Sequence, residues 1–148
     1  MAKPSTIDQE IIDALKTTIS AIAAGTEYYS TLSGKVYDSS AAPITDGVNL
    51  SEGDEEISES ESSASLHYCR LPVLIDIVEL NANAANIRKT KADILKAIRL
   101  SNNLGLTNKV YDIKHISTQA NVPDQQGNLI AHRRIQIDVY YRKNAFSI

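Results

Sequence analysis

The side chains best suited to metal or acid–base chemistry are three histidines and one cysteine, and they are scattered along the chain. His67, His115 and His132 each stand alone on a predicted strand, outside any HExxH or similar ligand pair. His67 and Cys69 lie two residues apart, so they share one face of a strand and could offer two metal ligands. Two of the four ligands that zinc takes do not make a site. We therefore predict packing positions at a strand end and no metal.

An acidic run is the second candidate for chemistry. It contains no Lys or Arg and comprises Glu52, Asp54, Glu55, Glu56, Glu59 and Glu61. A calcium loop needs oxygen ligands at alternating positions, and Val48 occupies the first of these after Asp46. The pattern therefore favours a solvated negative loop over a calcium site.

Other catalytic signatures are missing from the sequence. The six glycines are scattered as single turn or cap residues, so the sequence contains neither a phosphate-binding loop nor a nucleophile elbow. An enzyme with paired carboxylates stays open as an alternative, because such a site depends on a cleft that a sequence does not display. We predict no catalytic residue and no cofactor, and we expect a function that rests on shape, strand edges and charge.

Length and composition favour one globular domain over residues 1–148. With 43% hydrophobic side chains, 22% charged side chains and no Trp, the chain can form one aliphatic core. No stretch approaches the roughly eighteen apolar residues of a membrane span, and the first residues lack the apolar run of a signal peptide. A single cysteine fits a reducing compartment. We expect a cytoplasmic product without membrane association.

The net charge of −3 hides a strong asymmetry between the two parts of the chain. Residues 1–65 carry twelve acidic and three basic side chains, whereas residues 66–148 carry six acidic and twelve basic ones. A protein that stacks between partners, or that pairs its acidic part with a neighbour's basic part, can use this asymmetry for register and orientation.

In the acidic part of the chain, residues 1–65, the sequence pattern predicts one helix followed by little regular structure. Residues 6–24 have apolar side chains at helical spacing, with Ser5 or Thr6 available as N-cap and Gly25 placed to end the helix. Residues 35–37 predict a short strand. Residues 39–65 are rich in Ser, Gly and acidic side chains and predict a flexible acidic loop or extended hairpin arm.

The basic part predicts most of the sheet. Residues 66–80 are apolar on both faces, which is typical of a central strand. Residues 84–100 predict a helix across the sheet, and residues 109–118 and 129–141 predict two strands joined by a polar loop. We therefore expect an α/β (α+β) fold, in which a mixed, largely antiparallel sheet of about four strands is flanked by two main helices.

One flank of the predicted 84–100 helix is positively charged along nearly its whole length. It carries Arg88, Lys89, Lys91, Lys96 and Arg99. Such a row can neutralise phosphates, so a small nucleic-acid-binding domain is an alternative. The chain as a whole is acidic, no aromatic residues interleave with the basic ones, and no RNP-like signature accompanies the strands. A solvated face, or one that docks an acidic partner, is the favoured interpretation.

The order of these elements resembles the tail terminator (tail completion) proteins of long-tailed bacteriophages. The resemblance covers residues 6–141 and includes the phrases Leu-Pro-Val-Leu-Ile-Asp-Ile at 71–77 and Ile-Gln-Ile-Asp-Val-Tyr-Tyr at 135–141. It implies a compact subunit of a homo-oligomeric, six-membered ring on the head-proximal end of the tail tube. That ring stops tube polymerisation and provides the docking surface for the neck and head.

The resemblance also implies a set of partners and a location. The partners are further copies of the chain, the tail tube protein, a neck or connector protein and, in a contractile tail, the sheath protein. DNA would pass through the lumen without specific binding, and the protein would belong to the virion after assembly in the host cytoplasm. Another head–tail connector of the same particle is the nearest alternative.

A ring of identical subunits joins two unlike surfaces, which suggests where the unequal charges meet. We predict that the acidic segment of one subunit contacts the basic helix flank of the next. The acidic residues of this predicted interface are Glu52, Asp54, Glu55 and Glu56, and the basic ones are Arg88, Lys89, Lys96 and Arg99.

Overall fold

Two long strands form the centre of the sheet, and shorter elements are arranged around them. The computed structural model describes residues 6–38, 47–58, 66–79, 84–120 and 131–144. In chain order the elements are α1 (Ile7–Ser20), β1 (Val36–Asp38), β2 (Gly47–Glu52), β3 (Glu56–Ile57), β4 (Leu66–Glu79), α2 (Ala84–Leu100), β5 (Val110–Ala120) and β6 (Ala131–Asn144), with a 3-10 turn at Asn103–Gly105 between α2 and β5.

The strands form one mixed sheet of six strands in the order β1-β2-β4-β6-β5, and β3 pairs with β4 beyond the end of β2. Among the described strands, the β1–β2 pair alone is parallel, and all other pairs are antiparallel. The predicted α+β class with a mixed, largely antiparallel sheet and two main helices is confirmed. The sheet has six strands where about four were expected.

β4 and β6 pair over fourteen consecutive residues, from Leu66 opposite Asn144 to Glu79 opposite Ala131. Alternate side chains of this ladder point to opposite faces of the sheet. One face is buried beneath both helices and forms a continuous aliphatic core. Its largest fully buried side chains include Ile11, Leu15 and Ile19 of α1, Ile87 and Ile94 of α2, and Leu50, Leu71, Ile75, Ile135, Ile137 and Tyr141 of the sheet.

Part of the acidic segment lies in the sheet, which the prediction of a flexible arm over residues 39–65 missed. Val48 and Leu50 are fully buried, and β2 pairs with β4 from Gly47 to Glu52. The alternation of apolar and polar residues over 47–51 was present in the sequence, but the Ser- and Glu-rich surroundings concealed it. Residues 39–46 and 59–65, also assigned to the arm, lie outside the described residues.

β2 and β3 are two parts of one path along β4, separated by a bulge. Glu52 faces Val73 and Glu56 faces Arg70, so three residues on one side oppose two on the other. The Gly53 N–H donates to the Pro72 carbonyl oxygen at 2.8 Å. In an antiparallel ladder, the N–H and the C=O of one residue point towards the same neighbouring strand. At position 72 an N–H would therefore point towards the bulge, where it is not needed for pairing, and proline has none. The bulge thus accommodates Pro72 inside a central strand.

The helix bounds follow local signals. Thr6 caps α1, and its side-chain oxygen accepts a hydrogen bond from the Gln9 N–H at 3.3 Å. α1 ends at Ser20 rather than at Ala24, because the chain turns so that the Ile22 carbonyl can accept from the Leu32 N–H at 3.0 Å. α2 spans Ala84–Leu100 as predicted.

Candidate functional site

The charge asymmetry of the sequence becomes in part a separation in space. β1, β2 and β3 lie at one side of β4, and β6 and β5 lie at the other, whereas α1 contacts β1, α2 and the 3-10 turn before β5, and α2 packs over β4 and β6. Among the described residues, those up to Ser58 include nine acidic and two basic side chains, and those from Leu66 onward include five acidic and twelve basic ones. The carboxylates of β2, β3 and the bulge between them therefore cluster at one side of the sheet. Basic side chains reach the acidic elements as well, since Arg70 and Lys143 pair with Glu56 and Glu55, and Lys109, before β5, pairs with Glu10 of α1 at 2.6 Å.

We call the acidic side the acidic edge, and its carboxylates repel one another. They are Asp8, Asp38, Glu52, Asp54, Glu55 and Glu56. Partial burial raises the pKa of Glu52, and the nearby charges of Asp8, Asp38 and Glu55 raise it further. Such a surface gains from the approach of a cation, because an opposite charge relieves the repulsion between its members.

Glu55 of the acidic edge has a partner within its own chain. Its Oε1 atom accepts a hydrogen bond from Lys143 Nζ at 2.6 Å, which ties the bulge after β2 to β6. Burial alone would raise the pKa of Glu55, but the Lys143 hydrogen bond and charge reverse this and hold that pKa below its ordinary value. The same hydrogen bond raises the pKa of Lys143. The predicted use of Glu55 against a neighbouring helix therefore competes with an existing ion pair.

Glu56 also pairs within the chain. Its Oε2 atom lies 2.6 Å from Arg70 Nη2, and Arg70 Nη1 lies 3.1 Å from the Oδ2 atom of Asp138. Asp138 is 2% exposed, so Arg70 compensates a buried carboxylate. Of the four predicted acidic interface residues, Glu52 and Asp54 are exposed and form no ion pair that we observe within the described chain.

The basic flank of α2 also contains exposed residues and residues that contact other parts of the chain. Arg88 and Arg99 are exposed at its two ends. Lys89 Nζ lies 5.7 Å from the centre of the Tyr29 ring, and Lys96 Nζ lies 5.3 Å from that of Tyr28. These contacts place aromatic rings beside the basic row, which the sequence did not show because the tyrosines are distant along the chain.

A loop before β1 is held against α2 by a residue that the sequence analysis passed over. Asp93 is 2% exposed and its carboxylate accepts hydrogen bonds from the backbone N–H groups of Tyr29 and Ser30 at 2.8–3.2 Å. Lys96 Nζ donates to the Glu27 carbonyl oxygen at 2.9 Å. An acidic residue within a basic helix, next to the apolar Ile94, was the available signal.

The basic side of the sheet ends in a long edge strand beside an apolar groove. Within the described residues β5 pairs only with β6, so its outer backbone edge faces away from the sheet. The groove has a volume of about 350 Å³ and lies between β5 and the end of α2. Leu95, Ile98, Ile113 and Ile137 contribute apolar surface to it, and its polar lining consists of Arg99, Asn102, Asn103, Asp112 and His115.

The face of the sheet opposite the helices carries both apolar side chains, such as Leu74 and the buried Val78, and polar cross-strand pairs. Arg134 Nε donates to the Asp76 Oδ1 atom at 2.7 Å across β6 and β4. Tyr111 packs against Tyr68 and Tyr140, with ring centres 5.8 and 6.2 Å apart. Cross-strand pairs of this kind stabilise a solvated sheet face.

The described residues contain no group of three His, Cys, Asp or Glu side chains that could hold a metal ion. Cys69 is buried, and burial followed by the nearby Glu55 carboxylate raises the pKa of its thiol to about 11, so it is unreactive at neutral pH. No helix in the part of the chain that the structure describes is long and apolar enough to cross a membrane.

The sequence matches no protein-family model, and no curated protein matches it significantly. The function therefore has to be inferred from the fold, the strand edges and the distribution of charge.

Proposed function

We propose that this protein is a structural subunit that assembles with copies of itself into a closed ring. The ring would cap the head-proximal end of a phage tail tube, stop its polymerisation and provide the docking surface for the neck. The observation that carries the proposal is the cluster of carboxylates at the β2–β3 side of the sheet, together with exposed cations on α2 and at the β5 side. The resemblance in element order to tail terminator proteins supplies the tail context.

Opposite charges on opposite sides favour head-to-tail contacts over two-fold contacts. A two-fold contact places the same surface of both subunits together, so it would set carboxylates against carboxylates or cations against cations. A head-to-tail contact joins the acidic edge of one subunit to the basic side of the next, and it closes into a ring when the rotation between subunits permits. The exposed Glu52, Asp54, Arg88 and Arg99 are available for this contact without breaking an ion pair that we observe.

In this proposal the protein performs no catalysis and needs no cofactor. Its partners are its own copies, the tail tube protein and a neck or connector protein, with the sheath protein added in a contractile tail. DNA passes through the lumen of the ring, and the protein becomes part of the virion. Another connector of the head–tail junction would use the same contacts between subunits.

The decisive experiment combines native mass spectrometry with negative-stain imaging of the purified chain, alone and mixed with the tail tube protein of the same genome. We expect a sixfold ring, or a cap on one tube end that limits tube length. Because the contact pairs exposed charges, assembly should weaken as salt increases. A chain that stays monomeric at low salt and leaves tube length unchanged would contradict the proposal.

One observation favours a second candidate, a small nucleic-acid-binding domain. Tyr29 is 69% exposed and lies beside Lys89, which offers a stacking surface next to a cation. This candidate predicts salt-sensitive binding of single-stranded DNA or RNA that is lost in Tyr29→Ala and Lys89→Glu. Binding measured by fluorescence anisotropy at two salt concentrations separates it from the ring.

A further inference from the structure

The sheet has an open strand edge at each side, and the two edges differ in character. At the basic side, β5 has eleven residues with register irregularities between Val110 and Asp112 and between His115 and Ser117, and its outer side meets no other strand in the described chain. At the acidic side, β1 pairs with β2 only from Val48 to Leu50 and does not extend as far as β3. Within the described residues, no strand therefore pairs with the outer side of β3. The backbone at an edge of this kind can pair with a strand from another molecule.

The strand directions permit these two edges to join. β3 is antiparallel to β4, β4 to β6, and β6 to β5, so β3 and β5 run in opposite directions. A second copy placed beside the first, with its helices on the same side of the sheet, therefore brings its β3 antiparallel to the first copy's β5. The sheet could then continue from one subunit to the next with the helices of both subunits on the same face.

The side chains at the two edges are complementary in polarity. Ile57 of β3 is 47% exposed and lies opposite Cys69, on the helix-covered face. The apolar groove between β5 and α2 opens on that same face, because its lining includes the buried Ile137. Glu55 and Glu56 precede Ile57 and pair with Lys143 and Arg70 of their own chain, and Arg99 and Asp112 both line the groove. The match between the two edges is therefore apolar, with the exposed Ile57 side chain at one edge and the apolar side chains of the groove at the other.

We propose that the β5 edge and the adjoining groove receive the β3 edge of a second copy of this chain, with Ile57 entering the groove. This proposal rests on the proposed ring and specifies its contact. It extends the predicted interface from the helix flank to an edge strand that the charge pattern did not indicate. A ring built in this way is one sheet that passes through every subunit.

Cysteine cross-linking tests the pairing directly. The double variant Ile57→Cys/His115→Cys, made in a Cys69→Ala background because Cys69 lies directly opposite residue 57, places one thiol on each edge, both on the helix-covered face. After treatment with a short bis-maleimide, we expect a ladder of covalent multimers on a denaturing gel that takes up more than half of the chain. Each single variant should stay monomeric on the same gel, whereas a mixture of the two single variants should give dimers only.

Three outcomes overturn the inference, and they can be told apart from failure of the ring. Dimers of the His115→Cys single variant would indicate two-fold β5–β5 pairing. An absent ladder from a double variant that still forms rings by imaging would refute the β3–β5 contact and leave the ring intact. An absent ladder together with a monomeric wild-type chain would refute both proposals. Circular dichroism and thermal unfolding of each variant verify that the fold is retained.

Discussion

Replacing Glu55 by Gln should lower the free energy of unfolding at pH 7. The substitution keeps the shape of the side chain and removes the charge that Lys143 Nζ contacts at 2.6 Å. A hydrogen bond to a charged group contributes about 1.5–3 kcal/mol, and partial exposure reduces this. The two side chains are 27% and 17% exposed, so we expect a loss of about 1–2 kcal/mol. For a chain of this length that lowers the melting temperature by roughly 3–6 °C.

The pH dependence of this loss has a defined sign. Because the folded-state pKa of Glu55 lies below its ordinary value of 4.5, its stabilisation is fully present above pH 4.5 and is lost as pH falls through the lowered pKa. Glu52 is the matched control, since burial raises its pKa. Its charge destabilises the fold at neutral pH, so Glu52→Gln should be more stable than wild type at pH 7 and lose this advantage in acid.

The assay is urea unfolding of wild type and both variants at several pH values between 3 and 7, at one fixed protein concentration because assembly would add to stability. The difference in the free energy of unfolding between wild type and Glu55→Gln should be constant near neutral pH and disappear in acid. Equal stability of Glu55→Gln and wild type at pH 7 would refute the role assigned to the Lys143 pair. If both substitutions changed the free energy of unfolding in the same direction, this would refute the assignment of a stabilising charge to Glu55 and a destabilising charge to Glu52.

Two further predictions concern the sheet and the interface. Gly47 has φ +141°, and a Cβ there would lie 2.5 Å from the Lys35 carbonyl oxygen, so Gly47→Ala should cost about 2 kcal/mol or more in urea unfolding. Gly25→Ala, with open space around its Cβ, is the control; equal effects of the two substitutions would contradict this explanation. Arg88→Glu combined with Arg99→Glu should weaken ring assembly in native mass spectra while leaving the melting temperature of the dissociated chain unchanged. Unaltered assembly would exclude these two arginines from the contact.

Strong periodicity made the central elements predictable from the sequence. The bounds of α2 match the expectation, and the long strand over 66–80 appears as β4, because each has an extended apolar pattern of one period. β2 and β3 were missed because they are short and lie among acidic and Ser residues. Their place is determined by pairing with β4, and such long-range pairing overrides local composition.

The candidate interface was predictable only as a distribution of charge. The asymmetry between the two parts of the chain was visible in the sequence, and the topology then placed the strands of the acidic part at one side of the sheet. The sequence did not show which charged residues have partners within the chain. Glu55 and Lys143, for example, are far apart in sequence and come into contact because Lys143 lies on β6. The contacts of Tyr28 and Tyr29 with α2 lysines depend likewise on the loop that Asp93 holds.

The uninterrupted pairing of β4 with β6 determines how a subunit would bear mechanical load. Fourteen facing residue pairs extend over about 45 Å at the usual rise per residue of a strand. A pull along the strands loads all of these backbone hydrogen bonds together in shear, whereas a pull across them opens the ladder one bond at a time. The subunit is therefore stiff along β4 and compliant across it. In the proposed ring, subunits whose strands lie along the direction of an applied force would therefore resist that force best.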